Sequence, residues 1–210
     1  MPRRPALFAA LSTALSGFLD AIGFAELSEL YVSFMSGNTT HLAVSLAHGR
    51  WSDVVAASVI ILAFIAGAAT GTWIIDNAPR RAIPAILVCE CLVVMAASAL
   101  ACAGLARAAM MIVAIAMGMQ NLLHQVVRGS DLGKSFLTGT LFSLGQALAR
   151  WRCDRTQRRR ILDTGTSWLS FVAGAVSGTL VLATTGIIPA LALAILMLTS
   201  MMIAIQTGIL

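Results

Sequence analysis

Residues 64–72 read Phe64-Ile65-Ala66-Gly67-Ala68-Ala69-Thr70-Gly71-Thr72, and residues 171–179 read Phe171-Val172-Ala173-Gly174-Ala175-Val176-Ser177-Gly178-Thr179. Each stretch lies inside an apolar run of roughly 20 residues, the length a helix needs to cross the hydrocarbon core of a bilayer. The second copy follows the first at an offset of 107. Both carry small residues four apart: Ala63, Gly67 and Gly71 in the first, Ser170, Gly174 and Gly178 in the second. On a helix that spacing makes a small-residue ridge along which another backbone can approach closely. These positions are candidate helix-packing sites, either within the chain or across a homodimer face.

Three further blocks repeat in the same order. Gly17-Phe18-Leu19-Asp20 pairs with Gly118-Met119-Gln120-Asn121 at offset 101. Ser33-Phe34-Met35-Ser36-Gly37 pairs with Ser135-Phe136-Leu137-Thr138-Gly139 at offset 102. Ile83-Pro84-Ala85 pairs with Ile188-Pro189-Ala190 at offset 105. The order and near-constant spacing predict one membrane domain over 1–210, built from a first repeat, 1–105, and a second, 106–210. Transporters are often built from such doubled units.

Only 11% of the residues are charged, against about 25% in a soluble domain. A soluble globule of this length could not cover itself with so little polar surface. That excludes a cytosolic enzyme, a nucleic-acid binder and a disordered chain. The net charge of +5 is no groove-reading signal, because six of the 14 basic residues crowd between Arg150 and Arg160. In a membrane protein such clustering sets orientation.

Membrane-length runs fall at Pro5–Gly23, Val54–Ile75, Ala82–Gly104, Ala108–Val127, Ile161–Ala183 and Ile187–Leu210. Arg3 and Arg4 before the first run resemble a signal peptide, but the run has a counterpart deep in the chain. Two shorter, more polar runs remain, Tyr31–His48 and Ser135–Trp151. The expected fold is all-α: a polytopic helical membrane protein with two pseudo-symmetric halves, about six crossings and two short discontinuous segments. If the polar runs re-enter on one side, the inside carries Arg3, Arg4, Arg80, Arg81, Arg128, Lys134 and the arginines from Arg150 to Arg160. The outside then carries only Arg50 and Arg107. Both termini are cytoplasmic in that arrangement and the repeats are inverted. Eight crossings with parallel repeats are the alternative, and they put Arg80 and Arg81 on the wrong side.

The polar runs are the candidate site. Ser36, Gly37, Asn38, Thr39 and Thr40 suit a helix cap better than a helix interior. The expectation is an extended stretch over Leu30–Phe34 and a short helix over Asn38–His48. The second run is read likewise, with Thr138, Gly139 and Thr140 before a helix over Leu141–Trp151. A half-helix N-terminus at mid-membrane presents free N–H groups and partial positive charge, as in central sites for anionic or carboxylate groups. The competing reading is a self-capped kink without a ligand. Asp20 and Asn121 occupy matching positions in the first block. An acid within a span is by default a functional residue, so Asp20 is read as a proton or cation site, or as the cap of the first half-helix. Glu90 is the other acid within a span, an isolated carboxyl or one facing a partner subunit. His41 on the first half-helix is an interfacial residue or a proton relay.

Cys89, Cys91 and Cys102 lie in apolar runs and read as packing residues. Cys153, in the Arg-rich stretch, reads as a reduced cytosolic thiol. No metal site and no cofactor is expected, and catalytic residues are not expected either, because neither His-Glu-x-x-His nor Gly-x-Ser-x-Gly occurs.

Several of these motifs together resemble a known family. Phe34-Met35-Ser36-Gly37-Asn38-Thr39-Thr40 follows the Gly17-Phe18-Leu19-Asp20-Ala21 helix. The small-residue block, Ala116-Met117-Gly118-Met119-Gln120-Asn121, Phe136-Leu137-Thr138-Gly139-Thr140-Leu141 and an Arg-rich stretch come after it. The pattern is similar to the YoaK family, domain of unknown function 1275, over nearly the whole chain. The resemblance implies a small multi-pass protein of the bacterial inner membrane with no established activity, and it carries over no catalytic residue. Ser135-Phe136 departs from the family, where an aromatic residue or Tyr precedes the second motif. The residues themselves point to a small-solute transporter, with the lipid bilayer and an unidentified solute as partners and a homodimer as a further option. The alternative is a non-transporting membrane scaffold.

Overall fold

A computed structural model describes residues 3–128, 136–151 and 155–207. Residues 129–135 and 152–154 lie outside it, and with them Ser135, Lys134 and Cys153. Eight α-helices follow in order: α1 (Arg3–Glu26), α2 (Met35–Ala47), α3 (Trp51–Asn77), α4 (Ala82–Cys102), α5 (Ala106–Arg128), α6 (Phe136–Ala149), α7 (Arg155–Thr185) and α8 (Ile187–Gln206). A single 3-10 turn, Pro79–Arg81, precedes α4, and no strand occurs among the described residues.

Six helices, all but α2 and α6, are long and apolar enough to cross a membrane. The exceptions have 13 and 14 residues. At 1.5 Å per residue they reach about 20 Å, short of a hydrocarbon core of about 30 Å. Pro84 and Pro189 fall in the first turns of α4 and α8, where the missing N–H has no intrahelical acceptor to lose. Gly104 and Gly186, at φ 80° and 84°, turn α4 into α5 and α7 into α8 with a backbone that a side chain would resist.

The helix bounds correct several sequence expectations. The first half-helix starts at Met35 rather than Asn38, so Ser36 to Asn38 form its first turn. First-turn N–H groups need no intrahelical acceptor, which lets cap-forming residues sit there. The second starts at Phe136 rather than Leu141, which places Thr138, Gly139 and Thr140 inside α6. α7 begins at Arg155 rather than Ile161, so Arg158, Arg159 and Arg160 are helical. Arginine is a good helix former, so the charge run lengthens the helix instead of ending it.

α1 packs chiefly on α7, and α3 on α5. α4 lies against α5 and α8, while the short α2 and α6 lean on α3 and α7. α1 and α5 are the most enclosed of the six long helices. Phe18, Leu19, Ile22, Met110, Val113 and Met119 from these two helices are fully buried in the core. Glycine makes the close crossings. A methyl group on Gly174 would strike the carbonyl of Ala14, and one on Gly17 the carbonyl of Phe171. The same holds for Gly67 against Ile115 and Gly118 against Phe64. Large apolar side chains such as Leu62, Trp73, Leu162 and Leu196 point outward, as a lipid-facing surface requires.

Candidate functional site

The break between α1 and α2 is built by two side chains. After Glu26 the chain reverses through Ser28 and Glu29, both left-handed at φ 56° and 73°. The reversal lays residues 31–34 back along α1. Asp20 is buried there and accepts three hydrogen bonds: from the Val32 N–H at 2.9 Å, the Ser33 N–H at 2.7 Å and the Ser33 hydroxyl at 2.5 Å. A carboxylate offers about four lone-pair directions, so one stays open. Asn38 closes the other side of the loop. Its Oδ1 accepts from the Tyr31 N–H at 2.9 Å, and its Nδ2 donates to the Tyr31 carbonyl at 2.7 Å. These bonds supply partners for backbone groups that no helix serves. Tyr31 packs between Phe24 and Phe34, tilted against the first ring and edge-on to the second, with ring centroids 5.2 Å apart in each pair. Gly37 passes so close to the Phe34 ring that a methyl group there would lie 2.7 Å from its Cε1.

No side chain caps the start of α2. The Met35 N–H donates to the Ser33 carbonyl and the Asn38 N–H to the Phe34 carbonyl. The N–H groups of Ser36 and Gly37 have no acceptor among the described residues.

Beside this turn lies a cavity of about 440 Å³. Its wall draws on both halves of the chain. Ser16 and Asp20 of α1 face Met117 and Asn121 of α5, and Met35 and Phe64 face Leu137 and Phe171. Tyr31, Ser33, Phe34 and Ser36 complete the wall. Ser16 donates to Gln120 Oε1 at 3.2 Å, and Gln120 Nε2 donates to the Ser12 carbonyl at 3.3 Å. That buried bridge ties α1 to α5 behind the cavity. Asn121 is exposed, with no hydrogen bond from its side chain among the described residues.

Of the residues singled out from sequence, Asp20, Ser36 and Asn121 line the cavity. Gly37 and Asn38 stand just behind the wall and shape the turn. Thr39 and Thr40 are exposed, and their hydroxyls bond back to the Met35 and Ser36 carbonyls. That is the usual resting place of a helical threonine hydroxyl. Thr138, Gly139 and Thr140 do not line the cavity; Leu137 does so from that end. His41 is half-buried on α2, away from the wall, with Nδ1 unpaired. Glu90 is fully buried in α4 and both its carboxyl oxygens lack a partner among the described residues. It too lies away from the cavity. Gly67, Gly71, Gly174 and Gly178 are buried at the α3–α5 and α1–α7 crossings, with Ala63 and Ser170 half-buried on the same ridges.

The aromatic part of the wall was missed by sequence reasoning. Phe64 and Phe171 were read only as the start of a packing ridge. Ser16 and Met117 stand one helical turn before Asp20 and Asn121, so an i, i+4 reading of the first block would have found them.

Six membrane-length helices and two short helices define a helical multi-pass membrane protein. The chain belongs to the family described as "Protein of unknown function (DUF1275)", which matches residues 8–204. It is similar to the "UPF0700 transmembrane protein RA0705" of Rhizobium meliloti (strain 1021), with 30% identity over 186 residues, covering 86% of this chain and 77% of that protein. No solved structure matches.

Proposed function

We propose that this protein is a small-solute transporter whose site is the cavity between α1 and α5. One observation carries the reading. Eight of the wall residues form four pairs at the repeat offsets: Ser16 with Met117, Asp20 with Asn121, Met35 with Leu137, and Phe64 with Phe171. A site to which two repeats contribute at matching positions is what alternating access needs, because each repeat can rock about it. The glycine crossings support the same pairing. Gly17 meets Phe171 as Gly118 meets Phe64, and Gly174 meets Ala14 as Gly67 meets Ile115.

In this reading the halves are inverted repeats, each crossing three times, with α2 and α6 entering from one side. The protein sits in a bacterial inner membrane, surrounded by lipid, with both ends of the chain on the cytoplasmic side. The excess of arginine at the start of α7 supports that orientation. The protein acts as a carrier and not an enzyme: Ser33 and Ser16 of the wall donate to Asp20 and Gln120, and no histidine or lysine stands among its described lining residues. The scaffold alternative draws on the glycine ridges as a homodimer face. Those ridges lie against α1 and α5 of the same chain, so they support it less. The solute class turns on two opposed features. The unpaired Ser36 N–H favours an anion, and the Asp20 carboxylate disfavours one.

Flux into proteoliposomes is the test. Purified protein is screened with organic cations, amino acids, organic acids and inorganic anions, with Asp20→Asn and Asn121→Leu as controls. Flux that depends on both residues is the expected result. No flux of any solute above protein-free vesicles would sink the reading.

A further inference from the structure

We infer that the cavity takes a small organic cation, an ammonium group carried on an apolar or aromatic body. The inference rests on the transporter reading and names its solute class. The charge of the wall is the first argument. Asp20 is the one acidic residue among its described lining residues, and no lysine, arginine or histidine stands among them. The N-terminus of α2 offers at most about half a positive charge, against a full carboxylate charge. An anion would therefore enter a site of the same net sign.

Hydrogen-bonding capacity is the second argument. Three of the lone-pair directions of Asp20 are filled by Val32 and Ser33. The remaining one fits a single N–H donor. The Asn121 carboxamide, without a partner among the described residues, and the Ser16, Ser33 and Ser36 hydroxyls offer further acceptors around the same space. An ammonium group has three donors and no acceptor, which matches that set.

The rest of the wall is the third argument. Tyr31, Phe34, Phe64 and Phe171 supply aromatic side chains, and Met35 and Met117 supply adaptable apolar surface. Ring faces attract a desolvated cation, and thioether side chains mould around an irregular body. The volume of about 440 Å³ lies toward the small end of ligand pockets. It fits a primary amine with one ring or a short branched chain better than a large drug-like cation.

The test uses the full-length protein in lipid nanodiscs. Binding of benzylammonium, phenylacetate and benzyl alcohol is measured by calorimetry, so that cation, anion and neutral body are compared at similar size. Benzylammonium is expected to bind at least about tenfold tighter than phenylacetate, since one hydrogen bond to a charged group is worth about that ratio. Asp20→Asn keeps acceptors for the turn but removes the charge. It should abolish the preference and leave benzyl alcohol within about twofold. Asn121→Asp, which leaves the turn untouched, should strengthen benzylammonium binding and weaken phenylacetate. Because it does not disturb the Asp20 bonds, it decides the matter even if Asp20→Asn folds poorly. Phenylacetate binding tighter than benzylammonium overturns the cation inference and leaves the transporter reading standing. Failure of both charged probes to bind also overturns it, and the proteoliposome screen then judges the transporter reading by itself.

Discussion

Replacing Gly67 with alanine isolates the contact that sets the spacing of α3 and α5. The added methyl would lie 2.8 Å from the carbonyl carbon of Ile115 and 3.0 Å from its Cα, where ordinary contact begins at about 3.4 Å. The obstacle is backbone, so no side-chain rotation relieves it. The carbonyl oxygen of Ile115 would be closer still, so the helices must part by about an ångström or more, and the neighbouring contacts loosen with them. Overpacking of this kind costs about 1–3 kcal/mol, and an unyielding backbone places the cost near the top of that range. Alanine regains about 1 kcal/mol of helix propensity over glycine, so the net loss is about 1–2 kcal/mol. Gly165 in α7 has nothing within 4 Å of its would-be methyl, so Gly165→Ala keeps only the gain, about 0.5–1 kcal/mol. The two variants should move stability in opposite directions, by about 1.5–3 kcal/mol in total. Gly118 sits at the same crossing, against Phe64, and Gly174 at the other, against Ala14. Gly67→Ala with Gly118→Ala should thus cost less than the sum of the singles, because the first change has already opened the gap. Gly67→Ala with Gly174→Ala should add. The assay is equilibrium unfolding in mixed micelles, followed by far-UV circular dichroism. Equal shifts for Gly67→Ala and Gly165→Ala, or plain additivity at the shared crossing, would refute the reasoning.

Asp20→Ala leaves the buried Val32 N–H and the Ser33 N–H without an acceptor, at about 1–3 kcal/mol each. Asp20→Asn can still accept through its carbonyl oxygen and should lose much less, as a comparison of unfolding midpoints would show. Asn38→Leu removes both bonds to the Tyr31 backbone. It should raise hydrogen exchange at residues 30–34 more than anywhere else; uniform exchange across the chain would argue against the role given to Asn38. Glu90→Met removes a buried carboxyl that has no partner and should stabilise the protein by about 1–3 kcal/mol, read as a higher midpoint in the same unfolding assay. A lower midpoint would mean that Glu90 has a partner in the membrane, such as a second subunit. A reporter fused after Leu210 should be active only in its cytoplasmic form, and the opposite result would reverse the orientation.

Parts of the molecule are legible without coordinates. Runs such as Val54–Ile75 are long, apolar and free of charge, so only a bilayer accommodates them. The break before Met35 is legible because Ser, Gly and Asn cluster where a helix would need good formers. The start of α7 is not, because a run of arginines is equally at home in a solvated loop or a helix. Nor is the job of Asp20. An acid in a span signals a role, but its neighbours in sequence do not reveal that Ser33 and Val32 fold back onto it. Asn38 looks like a helix cap, yet it reaches back to Tyr31 instead.

The sequence by itself determined the environment, the helical class, the break near Met35 and the candidacy of Asp20 and Asn121. Hydropathy and local propensity act over a few neighbouring residues, so they can be read along a single chain. Only the tertiary structure decided which side chains enclose the cavity. Phe64 and Phe171 reach its wall because α3 crosses α5 and α7 crosses α1 at glycines, with backbone nearly touching backbone. Close crossings are contacts between residues about 50 to more than 150 positions apart, and no spacing within either partner encodes them.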